Sequence, residues 1–334
     1  MMIVPTIKKL FGIAFVLACV GSITGFAGHW LWSFDLASHF RSHYFVFLSG
    51  CAVIFITTKL YYRAAFAAAI ALVNLLFLLP MYQSETVNGG NTQGLRIISA
   101  NVYAENREHS QLNDLVHDSN PDFLALFEVD QSWLGVTEQL KQRFKYARVE
   151  EKHGYFGIAL FSQYPINRVE FKKFGHFSQY AIIAHLEVDG RAFHIIAAHV
   201  LAPTSQSYFD LRNKHLRNLA KTARALEGPV MLIGDLNITP WSPYFEDLVR
   251  ESKLLDGSKG FGLQPTWPVQ LSFIGIPIDH CLVSPSVEIQ QWSRGPDIGS
   301  DHFPIIVDFS IQKANHQFGL ARLKPQQSED QLVN

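Results

Sequence analysis

Residues 230–243 read VMLIGDLNITPWSP. Four apolar residues run into Gly234, and Asp235, Leu236 and Asn237 follow. A short run without a polar side chain, closed by glycine and then proline, is the pattern of a strand buried on both faces. The strand period of two points Asp235 and Asn237 to the same side. A carboxylate and an amide held together at a rigid strand end can grip a water, a leaving group or a phosphate oxygen. A simple turn is the plain alternative.

The same arrangement recurs outward along the chain. AFHIIAAHVLAP at 192–203 ends in His199, which can donate to an anion, while His194 lies five residues earlier, on the opposite face, and reads as structural. LRIISAN at 95–101 ends on Asn101, alone a common turn former. FLALFEVD at 123–130 sets Glu128 after five apolar residues, so its carboxylate is paired, solvent-exposed or bound to a cation. IPIDHCLVS at 276–284 buries Asp279 in an apolar strand, where an ionised carboxylate needs a partner. GSDHFPIIVDF at 299–309 places Asp301 and His302 just before another strand; such a histidine among carboxylates can act as a general base, or the triplet can be a plain strand cap. His280 and Asp308 read as structural.

Strands are expected at 95–100, 123–127, 155–161, 181–188, 192–200, 230–233, 278–283 and 304–311. Between them, Ser207 to Leu226 carries an apolar stripe at helical spacing, with Arg212, Lys214, Arg217, Lys221 and Arg224 as a solvated face. Residues 95–312 therefore read as one mixed α/β domain. A polar, Gly-rich linker is expected at 83–94 and a weakly ordered tail at 313–334. The chain has no G-x-S-x-G elbow and no phosphate-binding G-x-x-x-x-G-K-[ST] loop. Its candidate donors are carboxylates, amides and histidines, which suit Mg²⁺, or Mn²⁺ or Ca²⁺, better than zinc. Three cysteines, Cys19, Cys51 and Cys281, build neither a zinc site nor a disulfide framework.

The first 82 residues have another character. Apolar runs at 10–27, 44–58 and 64–79 are flanked by Trp30, Trp32, Tyr44, Tyr61, Tyr62 and Tyr82, the pattern of three membrane-spanning helices with interfacial aromatic belts. A cleaved signal peptide at the first run is the weaker reading. Lys8 and Lys9 precede the first run, and Lys59 and Arg63 lie between the second and third; only Arg41 lies between the first and second. Basic loops stay cytoplasmic, so a multi-pass protein of the inner or plasma membrane is expected, with its C-terminal part on the extracytoplasmic, periplasmic side. Charge is uneven as well. Residues 1–81 hold five basic side chains against one acidic, whereas the remainder holds 23 against 28. An acidic domain speaks against strong general binding of polyanions.

SAN at 99–101, FE at 127–128, GIALFSQYPI at 157–166, GDLN at 234–237, ID at 278–279 and SDH at 300–302 occur in the order of the endonuclease/exonuclease/phosphatase superfamily, which the chain resembles over residues 95–312. The resemblance implies a DNase-I-like two-sheet α/β sandwich with its active site at the rim where the sheets meet. It implies metal-dependent hydrolysis of a phosphate ester. Glu128 would bind the divalent ion with Asn101 beside it, and Asp301 would help position metal or water. His302, oriented by Asp279, would take the proton from the attacking water. Asn237 and His199 would contact phosphate oxygens, and Asp235 would position the nucleophile or assist the leaving group. Many members carry Gln before the metal-binding Glu; here Phe127 stands there, which removes one polar contact.

A nuclease-like phosphodiesterase is the first expectation; the acidic balance stands against it, and the cluster Lys141, Arg143, Lys145 and Arg148 either offsets that locally or is only a helix's solvated face. The alternative is a membrane-proximal phosphoesterase acting on a lipid headgroup or small molecule, like sphingomyelinases or inositol phosphatases. Trp241, Phe261, Trp267, Phe273 and Ile274 could line an apolar substrate-facing loop, with ordinary core packing as the favoured reading. A non-enzymatic use of the fold would leave the motif set unexplained. No obligate protein partner is implied.

Overall fold

The computed structural model describes residues 3–83, 94–150, 155–174 and 180–312. The linker expected at 83–94 lies outside the described residues except for its two ends, and the tail expected at 313–334 lies wholly outside them.

The chain begins with four helices, α1 (Ile3–Thr24), α2 (Trp32–Ser38), α3 (Arg41–Thr57) and α4 (Tyr61–Leu78). Two segments are long and apolar enough to cross a membrane, Thr6–Ala27 and Tyr61–Tyr82, with mean hydropathies of 2.1 and 2.3. The short α2 was not foreseen; with α3 it passes the same test as a third span, bent by 66° at the break. Leu10, Ile13, Leu17 and Val20 of α1 point outward, an apolar face suited to lipid.

The remainder comprises β1 (Leu95–Asn101), α5 (His109–Ser119), β2 (Phe123–Phe127), α6 (Leu134–Arg143), β3 (Tyr146–Glu150), β4 (Ile158–Ser162), β5 (Ile166–Lys173), β6 (Tyr180–Val188), β7 (Arg191–Ala198), α7 (Gln206–Ala225), β8 (Val230–Asp235), α8 (Pro243–Ser252), β9 (Leu255–Asp256), β10 (Asp279–Val283), β11 (Val287–Arg294) and β12 (Ile305–Ile311). They form two six-stranded sheets, ordered β11-β12-β1-β2-β4-β3 and β5-β6-β7-β8-β10-β9. Each sheet has one parallel pair joined through a helix, β1-α5-β2 and β7-α7-β8, and is otherwise antiparallel.

The sheets pack face to face. Ile97, Phe123, Phe127 and Leu160 of the first interdigitate with Ile182, Ile195, Met231 and Ile233 of the second. The outer face of the first sheet is covered by α5, α6 and the turn leading into α6, through Leu112, Val116, Trp133 and Leu140. The outer face of the second is covered by α7 and α8 through Leu216, Leu219, Phe245 and Leu248. Central strands covered on both faces explain the continuous apolar runs, each large side chain contributing about 1.5–3 kcal/mol on burial.

The N-terminal helices dock on the α7 and α8 side of this sandwich. Arg212, expected on a solvated face, is fully buried instead. Its guanidinium meets Asp35 Oδ2 of α2 at 2.6 Å, and Ser242 donates to Asp35 Oδ1 at 2.5 Å. Close by, His39 Nδ1 lies 2.8 Å from Thr239 Oγ1, and Trp32 donates to the Pro203 carbonyl at 2.8 Å. Burial of a cation inverts the sequence reading because its partner lies far away along the chain, in a segment read only as membrane. Arg41 is likewise no loop residue: it is buried between the rings of Phe26 and Phe77 and donates to Asn74 Oδ1 at 3.3 Å.

Candidate active site

Parallel strands end on the same side. The C-terminal ends of β1 and β2 deliver Asn101 and Glu128; those of β7 and β8 deliver His199 and Asp235. Antiparallel pairing sets Asp279, the first residue of β10, opposite Asp235. Asp301 and His302 lie just before β12, which runs antiparallel to β1 and so starts at the same rim. All eight expected side chains therefore belong to one rim of the sandwich.

Two glycines allow the close approach. A Cβ on Gly234 would lie 2.0 Å from the Ala198 carbonyl oxygen, and its φ of +143° is itself a glycine conformation. A Cβ on Gly157 would lie 1.7 Å from the carbonyl oxygen of Val129, the residue after Glu128. Glu128 (φ 63°), Asn237 (φ 49°) and Tyr103 (φ 57°) occupy the left-handed region without being glycine. Such strain clusters where a site over-determines the backbone.

The polar contacts form two linked groups. Asn101 Nδ2 donates to Glu128 Oε1 at 3.0 Å and to Asp235 Oδ2 at 3.1 Å, and its Oδ1 accepts from the Tyr103 amide. His199 Nε2 lies 3.4 Å from Asp235 Oδ2 and 3.8 Å from Glu128 Oε1. His302 Nδ1 lies 3.0 Å from Asp279 Oδ2, with Nε2 3.7 Å from Asp235 Oδ2. Asn237 donates from its backbone to Asp235 Oδ1 at 2.9 Å and from its side chain to the Val200 carbonyl at 2.9 Å. Asp301 Oδ2 accepts from the Trp267 indole at 3.1 Å.

Electrostatics follow from burial among like charges. Burial, aided by Asp279, raises the Asp235 carboxyl to about 6 against the pull of His302 and His199. Burial alone would lower His302, but Asp279, Asp235 and Asp301 override it and push the imidazole up to about 10. Four carboxylates thus converge with two histidines as their only titratable counter-groups among these eight residues. Hard oxygen donors in excess of positive charge fit a divalent cation. Asp235, Asp279 and His302 also lie close enough together to hold an ion by proximity alone, a set distinct from the Glu128, Asn101 and Asp301 expected from the resemblance.

The sequence profile of the Endonuclease/Exonuclease/phosphatase family matches residues 98–302, which takes in every one of these side chains. The chain belongs to that family. No curated protein matches the sequence. Among solved structures, D. rerio TDP2 complexed with a single-strand DNA product shares 18% identity at a TM-score of 0.52, over 65% of this chain and 99% of that one. The human Nocturnin catalytic domain with bound sulfate shares 20% at 0.52, over 70% and 98%. Sphingomyelinase C from Streptomyces griseocarneus shares 15% at 0.50, over 65% and 99%. At these identities the likeness is one of fold. Enzymes of the endonuclease/exonuclease/phosphatase family hydrolyse phosphate esters and generally depend on a divalent metal.

His194, His280 and Asp308 fall outside the site. His194 Nε2 meets the Glu227 carbonyl at 3.0 Å, His280 Nε2 meets the Ile238 carbonyl at 2.7 Å, and Asp308 clamps Arg96 with both oxygens. Other residues at the rim were given no role by the sequence. Thr266 Oγ1 accepts the amides of Ile278 and Asp279, fixing the start of β10. Ser300, inside the SDH triplet, ties the Asn101 carbonyl to the His302 amide. Tyr155 and Tyr103 both donate to Glu105, which holds that carboxyl below its ordinary range and pushes Tyr155 up to about 12.

Proposed function

We propose that this family member is a membrane-anchored, divalent-metal-dependent phosphoesterase in which His302 activates the attacking water. The observation that carries the reading is the buried Asp279–His302–Asp235 alignment beside Glu128 and Asn101. Asp279 accepts the Nδ1 proton and fixes the tautomer, so that Nε2 is the basic atom facing the rim. Nε2 takes a proton from water as its oxygen bonds to phosphorus and the ester oxygen leaves. Asp235, whose carboxyl burial holds above its ordinary range, sits where it can orient that water or return a proton to the leaving oxygen. His199 and Asn237 would meet the remaining phosphoryl oxygens. Glu128, with Asn101 and Asp301, would hold the ion, Mg²⁺ being the hard cation these oxygens suit best. When bound, it would stabilise charge growing on the phosphoryl and leaving oxygens. By compensating the carboxylates it would also lower His302 from its raised value, which base duty requires.

On substrate, we favour a small or lipid-borne phosphate ester over a polynucleotide. Phosphate contacts dominate nucleic-acid affinity. Within the basic cluster, Arg143 pairs with Asn120, which precedes β2 at the end remote from the rim, a full strand of about 17 Å away. The nuclease reading rests on the fold shared with TDP2. The membrane reading has α1, α3 and α4 crossing in turn. Lys8, Lys9, Lys59 and Arg63 fall at the ends away from the sandwich, so the catalytic part would lie outside the cytoplasm.

The full-length protein in detergent should hydrolyse bis(4-nitrophenyl) phosphate with Mg²⁺ or Mn²⁺ and lose that activity with EDTA or in His302→Ala. Activity that survives either change would contradict the assignment. Plasmid nicking with the same dependence would restore the nuclease reading.

A further inference from the structure

Residues 266–278 read TWPVQLSFIGIPI, thirteen residues without a charge. Of the five apolar residues weighed between core packing and a substrate-facing loop, Trp241 is buried and Phe261 packs against the inter-sheet core, whereas Trp267, Phe273 and Ile274 lie in this segment and are exposed. Val269–Ile274 forms a short 3-10 turn that leaves Phe273 82% exposed, with Leu271 and Ile274 each more than 40% exposed. Water is a poor surrounding for three adjacent large apolar side chains.

Contacts at its two ends say what surrounds this turn. At one end, Trp267 donates to Asp301 Oδ2 at 3.1 Å and the Val269 amide donates to the Asp301 carbonyl at 2.9 Å. The turn is thus bonded directly to the residue before His302. At the other end, His43 Nε2 lies 2.9 Å from the Ile274 carbonyl. His43 is the third residue of α3, in the turn that also carries Arg41 and follows exposed Phe40. The α3 and α4 helices are neighbours, and Arg41 reaches Asn74 near the end of α4, so His43 lies at the level where α4 leaves the bundle. From Tyr61 to Tyr82 that segment rises about 33 Å, close to the roughly 30 Å of a hydrocarbon core. The exposed turn therefore sits at the bilayer surface, continuous with the lipid-facing helices.

We infer that Leu271, Phe273 and Ile274 dip into the membrane interface beside α3, and that the site takes a phosphate ester carried by a bilayer lipid. This deepens the proposed function and rests on it. Apolar chains of the substrate would remain in the leaflet under the turn, while its phosphate reaches the rim past Trp267 and Asp301. A freely soluble ester would gain nothing from the turn.

The test uses full-length protein in proteoliposomes of phosphatidylethanolamine, phosphatidylglycerol, phosphatidylinositol and sphingomyelin. First, Phe273→Cys is labelled with an environment-sensitive dye, Cys19, Cys51 and Cys281 being buried. A blue-shifted emission quenched by brominated lipid is expected; water-like emission without quenching overturns insertion. Second, release of water-soluble phosphorylated product from those lipids is compared with hydrolysis of soluble bis(4-nitrophenyl) phosphate. Phe273→Asp should lower the lipid rate about tenfold to a hundredfold, the factor tied to one buried aromatic side chain, and leave the soluble rate unchanged. An unchanged lipid rate, or equal loss on both substrates, overturns the role of the turn. Hydrolysis of the soluble diester with none of the lipids overturns the substrate while the catalytic reading stands. If neither substrate is hydrolysed the catalytic reading itself fails, and the dye alone decides insertion.

Discussion

Two of the places where this molecule buries carboxylates do so in opposite ways. At the junction between α2 and the sandwich, Asp35 is matched by Arg212 and Ser242, with His39 3.7 Å away. Charge is balanced and both carboxylate oxygens have partners. At the candidate active-site rim, Glu128, Asp235, Asp279 and Asp301 crowd around His302 and His199, and negative charge is in excess. A balanced cluster can serve as a lock. An unbalanced one raises proton affinities and leaves room for a cation, which is costly for stability and useful for chemistry. The two are neighbours: Arg212 also approaches the carbonyl of Asn237 at 3.5 Å, so the lock adjoins the loop that carries a candidate phosphate contact.

The largest expected effect separates the two by activity. His302→Ala in the metal-loaded protein should lower kcat by about 10²–10⁴-fold, the worth of a positioned general base. Denaturation of the same protein should change far less than kcat. A variant that unfolds without first losing activity would erase the distinction.

Next comes the lock. Asp35→Ala leaves Arg212 buried without its counter-charge and should destabilise the protein by about 3–5 kcal/mol in chemical denaturation. Replacing Arg212 with Leu in the same chain should recover part of that loss. No loss on Asp35→Ala would mean that the junction does not hold the helices to the sandwich.

The smallest effect is in pH dependence. His302 must be neutral to act, so kcat/KM should rise with pH along an acid limb set by its pKa. Asp279→Asn removes an opposing charge and should move that limb down by about one to three units. In metal-free protein the sign for stability is the reverse: the contribution of protonated His302 is full below 6.5 and fades as pH rises through about 10. Stability measured with EDTA between those values should fall as pH rises, and should fall less in Asp279→Asn.

How far the sequence could lead differs along the same line. Strands covered on both faces, such as β2 and β8, show as unbroken apolar runs, and the helix expected at 207–226 is α7 displaced by one residue. The half-exposed strands β3, β5 and β11 were missed, because INRVEFKK of β5 puts charges on its open face and shows no continuous run. At the rim, polar residues at strand ends were legible one by one. Their assembly depends on the register that sets Asp279 opposite Asp235 and on contacts across more than a hundred residues, which periodicity does not encode. The burial of Arg212 was not legible because its partner Asp35 lies in the N-terminal helices, which a local reading treats as a separate object.

The most direct test of the unbalanced rim is a calorimetric titration of Mn²⁺ into the full-length protein and into Glu128→Gln, with diester hydrolysis followed on the same samples. Binding and hydrolysis should saturate together in the wild type. Both should weaken in Glu128→Gln by at least the roughly 10–100-fold that follows loss of even an outer partner of a metal ligand. Equal binding and equal hydrolysis in the two proteins would contradict the account.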